Sequence, residues 1–310
     1  MMRCMVTGGA GFIGSHLVDA LVTRGDNVIV IDSLRAGSEE NIRGHLSQKN
    51  IRLHRHDLLE DGWQDSLSGI QRVYHLAADP DVRQSAVSPA SQVQQNFFAT
   101  WRVLEAMRKA AVPEIVFTST STVYGDATVI PTPEEYAPLE PVSVYGATKL
   151  ACEALISSYC HSFSMQAWIY RFANIIGERS NHGVIWDFIH KLRQDPRALE
   201  ILGDGRQSKS YLEVGACVDA MLYATGHSAR RINTFNIGSE DWIDVRTIAD
   251  LVVEGMGLSG VKYRFTGGER GWVGDVPRMQ LSIQKLRELG WNPGIDSRES
   301  VKKSVSAMLG

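Results

Sequence analysis

Short apolar runs alternate with stretches in which apolar residues return every three to four positions. Cys4-Met-Val6 reads as a strand, and a helix runs from about Ser15 to Arg24 until Gly25-Asp26-Asn27 breaks it. Val28–Ile31, Ile51–Asp57, Arg72–Ala78, Ile115–Phe117 and Gln166–Arg171 read as further strands. Between them, Ser91–Lys109 has helical periodicity with Val93, Phe97, Leu104 and Met107 as its core positions, and a second long helix ends near Phe163. Such alternation predicts an α/β fold built on a parallel, doubly wound sheet. Beyond Arg171 the pattern loosens. Gly177–Gly183 is a polar loop, Val184–Gln194 an amphipathic helix, and Glu200–Gly205 a strand and turn. Cys217–Thr225, Val245–Gly255 and Ser282–Leu289 read as helices, the last with Ser282 as its N-cap, and Phe235–Gly238 as a short strand.

The first strand runs into Thr7-Gly-Gly-Ala-Gly-Phe-Ile-Gly14, and the second ends at Asp32. Strand, glycine loop, helix, strand and acid in that order point to a dinucleotide. Gly8, Gly11 and Gly14 permit a tight turn, approach of backbone N–H groups to a pyrophosphate, and close helix–strand packing. Asp32, 18 residues past the loop, suits the adenosine ribose hydroxyls, and its charge would repel a 2′-phosphate. That favours NAD over NADP. Arg35 and Arg43 nearby either lie over the adenine or are solvated. Asp57-Leu58 suits an adenine contact, and the small Ala77 and Ala78 let a cofactor lie against the fourth strand. Asn96 falls on a helix face that could turn to the crevice. His54 and His56 share one strand face without an evident third ligand, so they read as solvated and no metal site is expected.

The fifth strand ends in the hydroxyl cluster Thr118-Ser-Thr-Ser-Thr122, at the edge where such sheets bind ligands. After a proline-rich loop come Tyr145 and Lys149, four residues apart and so on one helix face. An ammonium beside a phenol favours the phenolate, so Tyr145 is expected below its usual pKa of about 10. A phenol shifted toward neutrality can take and return a proton, with Thr120 hydrogen-bonding the same oxygen.

Composition adds limits. At 310 residues, 44% hydrophobic and 22% charged, the chain can bury a sizeable core. A net charge of −3 gives no reason to expect nucleic acid. Cys4, Cys152, Cys160 and Cys217 are scattered and read as buried thiols. With no leader pattern or membrane-length apolar run, a cytoplasmic location is expected.

Thr7–Gly14, Asp57-Leu58, His75-Leu-Ala-Ala78, Thr118–Gly125 and Tyr145–Lys149 together resemble the extended short-chain dehydrogenase/reductase superfamily, and within it the NAD-dependent nucleotide-sugar epimerases. Asp32–Ile42 and Arg270–Pro277 strengthen the likeness, which spans nearly the whole chain. It implies a Rossmann-type domain over 1–173, with segments near 211–238 packing back on it, and a smaller substrate-binding cap over 174–310. It implies C4 epimerisation of a UDP-hexose such as UDP-glucose or UDP-galactose. NAD takes the C4 hydride, Tyr145 takes the hydroxyl proton, and the 4-keto sugar turns over before the hydride returns. Thr120, Tyr145 and Lys149 are the implied catalytic residues. The implied cofactor contacts are Gly8, Gly11, Phe12, Ile13 and Gly14; Asp32, Ser33, Arg35 and Gly37; Asp57 and Leu58; Leu76, Ala77 and Ala78; and Asn96, Thr118, Tyr145 and Lys149. Arg83, Thr120, Asn174, Val184, Lys209 and Arg270 are implied on the substrate side, and a homodimer is implied as the assembly.

The chain departs from the family pattern in three places. Lys209-Ser210 stands where many relatives have arginine and aspartate, and Trp272 stands where they often have arginine, with Arg270 two positions earlier. Glu213–Ala216 lacks the paired aspartates often seen before the next helix. Competing readings are a sugar-nucleotide dehydratase or decarboxylase, a 4-epimerase of UDP-N-acetylglucosamine or UDP-glucuronate, and a non-catalytic NAD-binding regulator. Dehydratases need a carboxylate pair after the catalytic threonine, where this chain has Ser121-Thr122.

Overall fold

The computed structural model describes residues 1–82, 88–271 and 276–310. Arg83 and Trp272 lie outside the described residues. Six strands open the chain: β1 (Arg3–Thr7), β2 (Asn27–Asp32), β3 (Ile51–Arg55), β4 (Arg72–His75), β5 (Glu114–Thr120) and β6 (Gln166–Phe172). Then come β7 (Asn174–Ile176), β8 (Ala198–Ile201), β9 (Ser208–Lys209), β10 (Tyr211–Glu213) and β11 (Ile232–Ile237). β12 (Ile243–Asp244), β13 (Lys262–Phe265) and β14 (Arg278–Met279) complete the strands.

The main sheet runs β11-β6-β5-β4-β1-β2-β3, every pairing parallel. The order reverses beside β1, so a crevice opens between the ends of β1 and β4. On one face, Leu17, Val18 and Leu21 of α1 (Phe12–Thr23) share a core with Met221 further along the chain. On the other lie α2 (Pro89–Gln92), α3 (Ala99–Lys109) and α4 (Val144–Ser162), with Val103, Leu104, Met107, Cys152 and Ile156 packed on the sheet. Burying each such aliphatic side chain contributes about 1.5–3 kcal/mol.

Later elements form a separate apolar cluster. Ile185, Phe188 and Leu192 of α5 (Val184–Gln194) meet Val301 and Val305 near the C-terminus. Met221 lies on α6 (Val214–His227), which packs beside α1, while α7 (Val245–Gly255) adds Ile248 and Leu251 to the later cluster. α8 (Gln284–Leu289) and α9 (Ser297–Leu309) close the chain. Residues 211–238 divide between the two regions: β10 pairs with β7, whereas β11 is an edge strand of the main sheet.

Several expectations need correcting. Ser91–Lys109 is not one continuous α-helix: Val93–Phe98 forms a π-helical segment between α2 and α3. The wider i→i+5 turn rotates the face, so Gln92 and Asn96 point inward while Val93 is 36% exposed instead of in the core. Ser282 is not the N-cap of α8. Ile283 holds that place, and the Ser282 hydroxyl only reaches the Gln284 N–H at 3.4 Å. His54 is half-buried and bonds the Ser66 hydroxyl at 2.9 Å, so it is not simply solvated. The thirteen-residue α9 and strand β13 were not anticipated.

Candidate active site

The glycine loop fits a dinucleotide for steric reasons. Gly8 sits at φ +72°, and a Cβ there would lie 2.6 Å from the Ala77 nitrogen. A Cβ on Gly14 would lie 2.0 Å from the Gly8 carbonyl oxygen. Both positions need glycine for α1 to start this close to β1, which turns its first N–H groups toward the crevice. Gly11, Phe12 and Ile13 complete that entry. At the end of β2, Asp32 accepts from the Ala10 N–H at 2.9 Å and the Leu34 N–H at 2.8 Å, which fixes its carboxylate beside the loop carrying Ser33 and Gly37. Arg35 reaches Asp57 at 3.0 Å, and Arg43 pairs with Glu40. Leu58 is buried and its carbonyl accepts from Arg102 Nε.

Leu76 and Ala77 follow β4 and are tied to Thr7, the Leu76 N–H donating to its carbonyl at 3.0 Å. Asn96 is buried and braces this loop. Its Oδ1 accepts from the Asp79 N–H at 2.8 Å, and its Nδ2 donates to Gln92 and to Thr148 on α4. In this structure it therefore positions the crevice wall around Ala78. His75, which sequence reasoning did not single out as a functional residue, lies beneath. The Thr100 hydroxyl donates to the Asn96 carbonyl, so it accepts from His75 Nε2 at 2.9 Å, and Nδ1 accepts from Thr7 at 2.6 Å. Burial, with the Lys149 charge, pushes His75 down to about 3, so the ring is neutral.

Thr118 and Thr120 are buried at the end of β5. Thr120 Oγ1 accepts from the Thr122 N–H and lies 3.1 Å from Thr122 Oγ1. Tyr145 and Lys149 lie on the first turns of α4, which Ser143 caps by accepting from the Gly146 N–H at 3.1 Å. The helix brings the phenol close enough to Thr120 for that side chain to favour the phenolate. The expected depression of the phenol pKa is reversed. Burial pushes Tyr145 up to about 12 against the Thr120 hydrogen bond, and Asp79 adds to the rise. Lys149 Nζ lies over the Phe117 ring, 4.3 Å from its centroid, and burial lowers it to about 8.

On the opposite side, Asn174 donates to the Ser210 carbonyl at 3.1 Å and so binds β7 to the strand pair around Lys209. Val184 begins α5. Arg270 forms a two-point pair with Asp126, at 2.9 and 3.4 Å, just past the Thr120 turn. Sequence reasoning also missed the buried carboxylate Glu153 beside Arg171. Two signals were present: a charge inside the apolar strand Gln166–Phe172, and an acid eight residues past Tyr145 on the same helix stripe.

A profile of the NAD dependent epimerase/dehydratase family matches residues 4–238. The chain belongs to that family. NAD is its cofactor, and the tight glycine turn and the fixed Asp32 carboxylate fit such a group. A crystal structure of a UDP-galactose 4-epimerase superposes with a TM-score of 0.89 at 43% identity, covering 99% of this chain and 98% of that one. A provisionally named UDP-glucose 4-epimerase of Methanocaldococcus jannaschii is 34% identical over 98% of this chain and 97% of its own. UDP-glucuronic acid decarboxylase 4 of Arabidopsis thaliana is 31% identical over 98% of this chain and 68% of its own length. These relatives are UDP-sugar epimerases and a UDP-sugar decarboxylase. Among the described residues, no helix is long and apolar enough to cross a membrane.

Proposed function

We propose that the chain is a 4-epimerase of UDP-hexoses, interconverting UDP-glucose and UDP-galactose, with Thr120, Tyr145 and Lys149 as its catalytic residues. The observation that carries this reading is the hydroxyl at Thr122. It lies 3.1 Å from Thr120 Oγ1, where removal of water across C5 and C6 would call for a carboxylate. Among the described residues, four acids of this region are committed elsewhere. Glu153 pairs with Arg171, Glu134 accepts from the Asn236 N–H, Asp126 holds Arg270, and Asp79 accepts from Ser91.

Bound NAD supplies the hydride acceptor and, in its oxidised form, a positive charge that favours the phenolate. Tyr145 then removes the proton from the 4-hydroxyl and returns it after the sugar has turned over. Thr120 holds the hydrogen bond that keeps the phenolic oxygen aimed at that hydroxyl. Lys149, at about 8, is mostly protonated at neutral pH and supplies a second positive charge. On the substrate side, the proposed contacts are Arg83, Asn174, Val184, Lys209 and Arg270. Residues 1–173 form the cofactor domain and 174–310 the cap, with α6 and β11 of the stretch near 211–238 returning to the first. The protein acts as a cytoplasmic homodimer, so light scattering should give about twice 34.3 kDa.

The test is a panel of UDP-glucose, UDP-galactose, UDP-N-acetylglucosamine and UDP-glucuronate, with products identified by NMR. The expected result is C4 inversion of glucose and galactose. Release of carbon dioxide from UDP-glucuronate with formation of a UDP-pentose would replace the proposal with a decarboxylase.

A further inference from the structure

Thr120 and Tyr145 sit on different elements, a strand end and a helix start, yet the proposed proton transfer needs them within hydrogen-bond distance. Their spacing depends on how α4 is locked against β5. Glu153 lies on α4 two helical turns beyond Tyr145, on the same stripe. Its carboxylate is buried. Oε1 accepts from the Ser119 hydroxyl at 2.5 Å and from Arg171 Nε at 3.1 Å, and Oε2 accepts from an Arg171 terminal nitrogen at 2.7 Å. Ser119 is the residue immediately before Thr120. Arg171 is itself fixed by the Tyr124 hydroxyl at 3.0 Å and the Glu134 carbonyl at 3.1 Å.

We propose that Glu153, clamped by Arg171, is a positioning residue that sets the helix carrying Tyr145 in register with the strand end carrying Thr120. This rests on the epimerase reading for its activity assay. The physical ground is that a buried ion pair is a poor source of net stability: an apolar pair of similar volume is often as stable or more so. Its geometric yield is larger. One carboxylate joins the helix to the strand residue next to Thr120 and to the neighbouring strand β6. An apolar substitute would fill the space without fixing the register.

Two variants test this. Glu153→Leu combined with Arg171→Met removes both charges and leaves neither unpaired. Ser119→Ala cuts the link to the strand and leaves the ion pair. Each is purified with NAD and assayed on whichever UDP-sugar the parent converts. The double variant is expected to melt near the parent temperature and to keep KM within about threefold, while kcat falls about 100-fold, as for a misplacement of about 1 Å. Ser119→Ala is expected to lose about tenfold in kcat in the same pattern. A folded double variant with kcat within threefold of the parent overturns the proposal. If the double variant does not fold, Ser119→Ala at parental kcat does so. A crystal structure of either variant gives a readout that does not depend on the substrate. Thr120 Oγ1 and Tyr145 Oη should move apart by about 1 Å, and an unchanged separation refutes the positioning role. If the parent converts no UDP-sugar, the functional reading has failed and this structural test still decides the inference.

Discussion

Gly14→Ala probes the cofactor cradle with one methyl group. The added Cβ would lie 2.0 Å from the Gly8 carbonyl oxygen, where real contacts essentially never fall below 3.0 Å. The start of α1 or the loop must therefore yield by about 1 Å. Both limbs of that contact carry the backbone that would face the pyrophosphate, so the displacement falls on binding itself. A shift of this size in a preorganised site costs on the order of 100-fold, equivalent to about 2.7 kcal/mol. The assay is calorimetric titration of cofactor-free protein with NAD. Gly226→Ala serves as the control: its Cβ meets nothing within 4 Å, and alanine in a helix should stabilise by up to about 1 kcal/mol. Gly14→Ala binding NAD within threefold of the parent would refute the steric reasoning.

Three further outcomes are expected. Tyr145→Phe keeps the ring and removes the proton, so kcat should fall by about 10²–10⁴ while NAD still binds; near-parental turnover would remove Tyr145 from its role. Asp32→Asn keeps an acceptor for the loop N–H groups but loses the charge. It should weaken NAD about tenfold and narrow the gap to NADP, and an unaltered preference would show that Asp32 does not read the ribose. His75 is held near 3 when folded against 6.5 unfolded, so below pH 6.5 the unfolded chain binds the extra proton. Its contribution is whole above that pH and falls as the pH drops, by about 2 kcal/mol at pH 5. Urea unfolding of the parent and of His75→Gln across that range should show the steeper slope only in the parent.

The strands and glycine loop were legible because each rests on a local rule: a short apolar run, a 3.6-residue period, a glycine with nowhere to put a Cβ. Val184–Gln194 and Val245–Gly255 were placed to the residue, since both are plainly amphipathic. The phenol pKa could not be read that way. Helical spacing shows that Lys149 is one turn from Tyr145, but not that Nζ turns to the Phe117 ring or that burial dominates. The π-helical segment escaped for a similar reason. Val93–Phe98 carries no proline or glycine, and its wider turn sets Asn96 inward, where the loop at Asp79 and Thr148 of α4 bond to it. α9 is cut short in its apolar pattern, with serines at buried positions 297, 300 and 304 where leucine or valine would have announced a core face.

The central claim is that the C4 hydride has one productive fate, return to C4. Neither Ser121 nor Thr122 can act as a base near neutrality, so no residue of that turn takes the proton from C5. The most direct measurement is incubation of UDP-glucose or UDP-galactose with the NAD-loaded protein in deuterated water, followed by NMR of the sugar. The account predicts a mixture of the two C4 epimers with no deuterium on carbon. A stable 4-keto-6-deoxy sugar carrying solvent deuterium would contradict it.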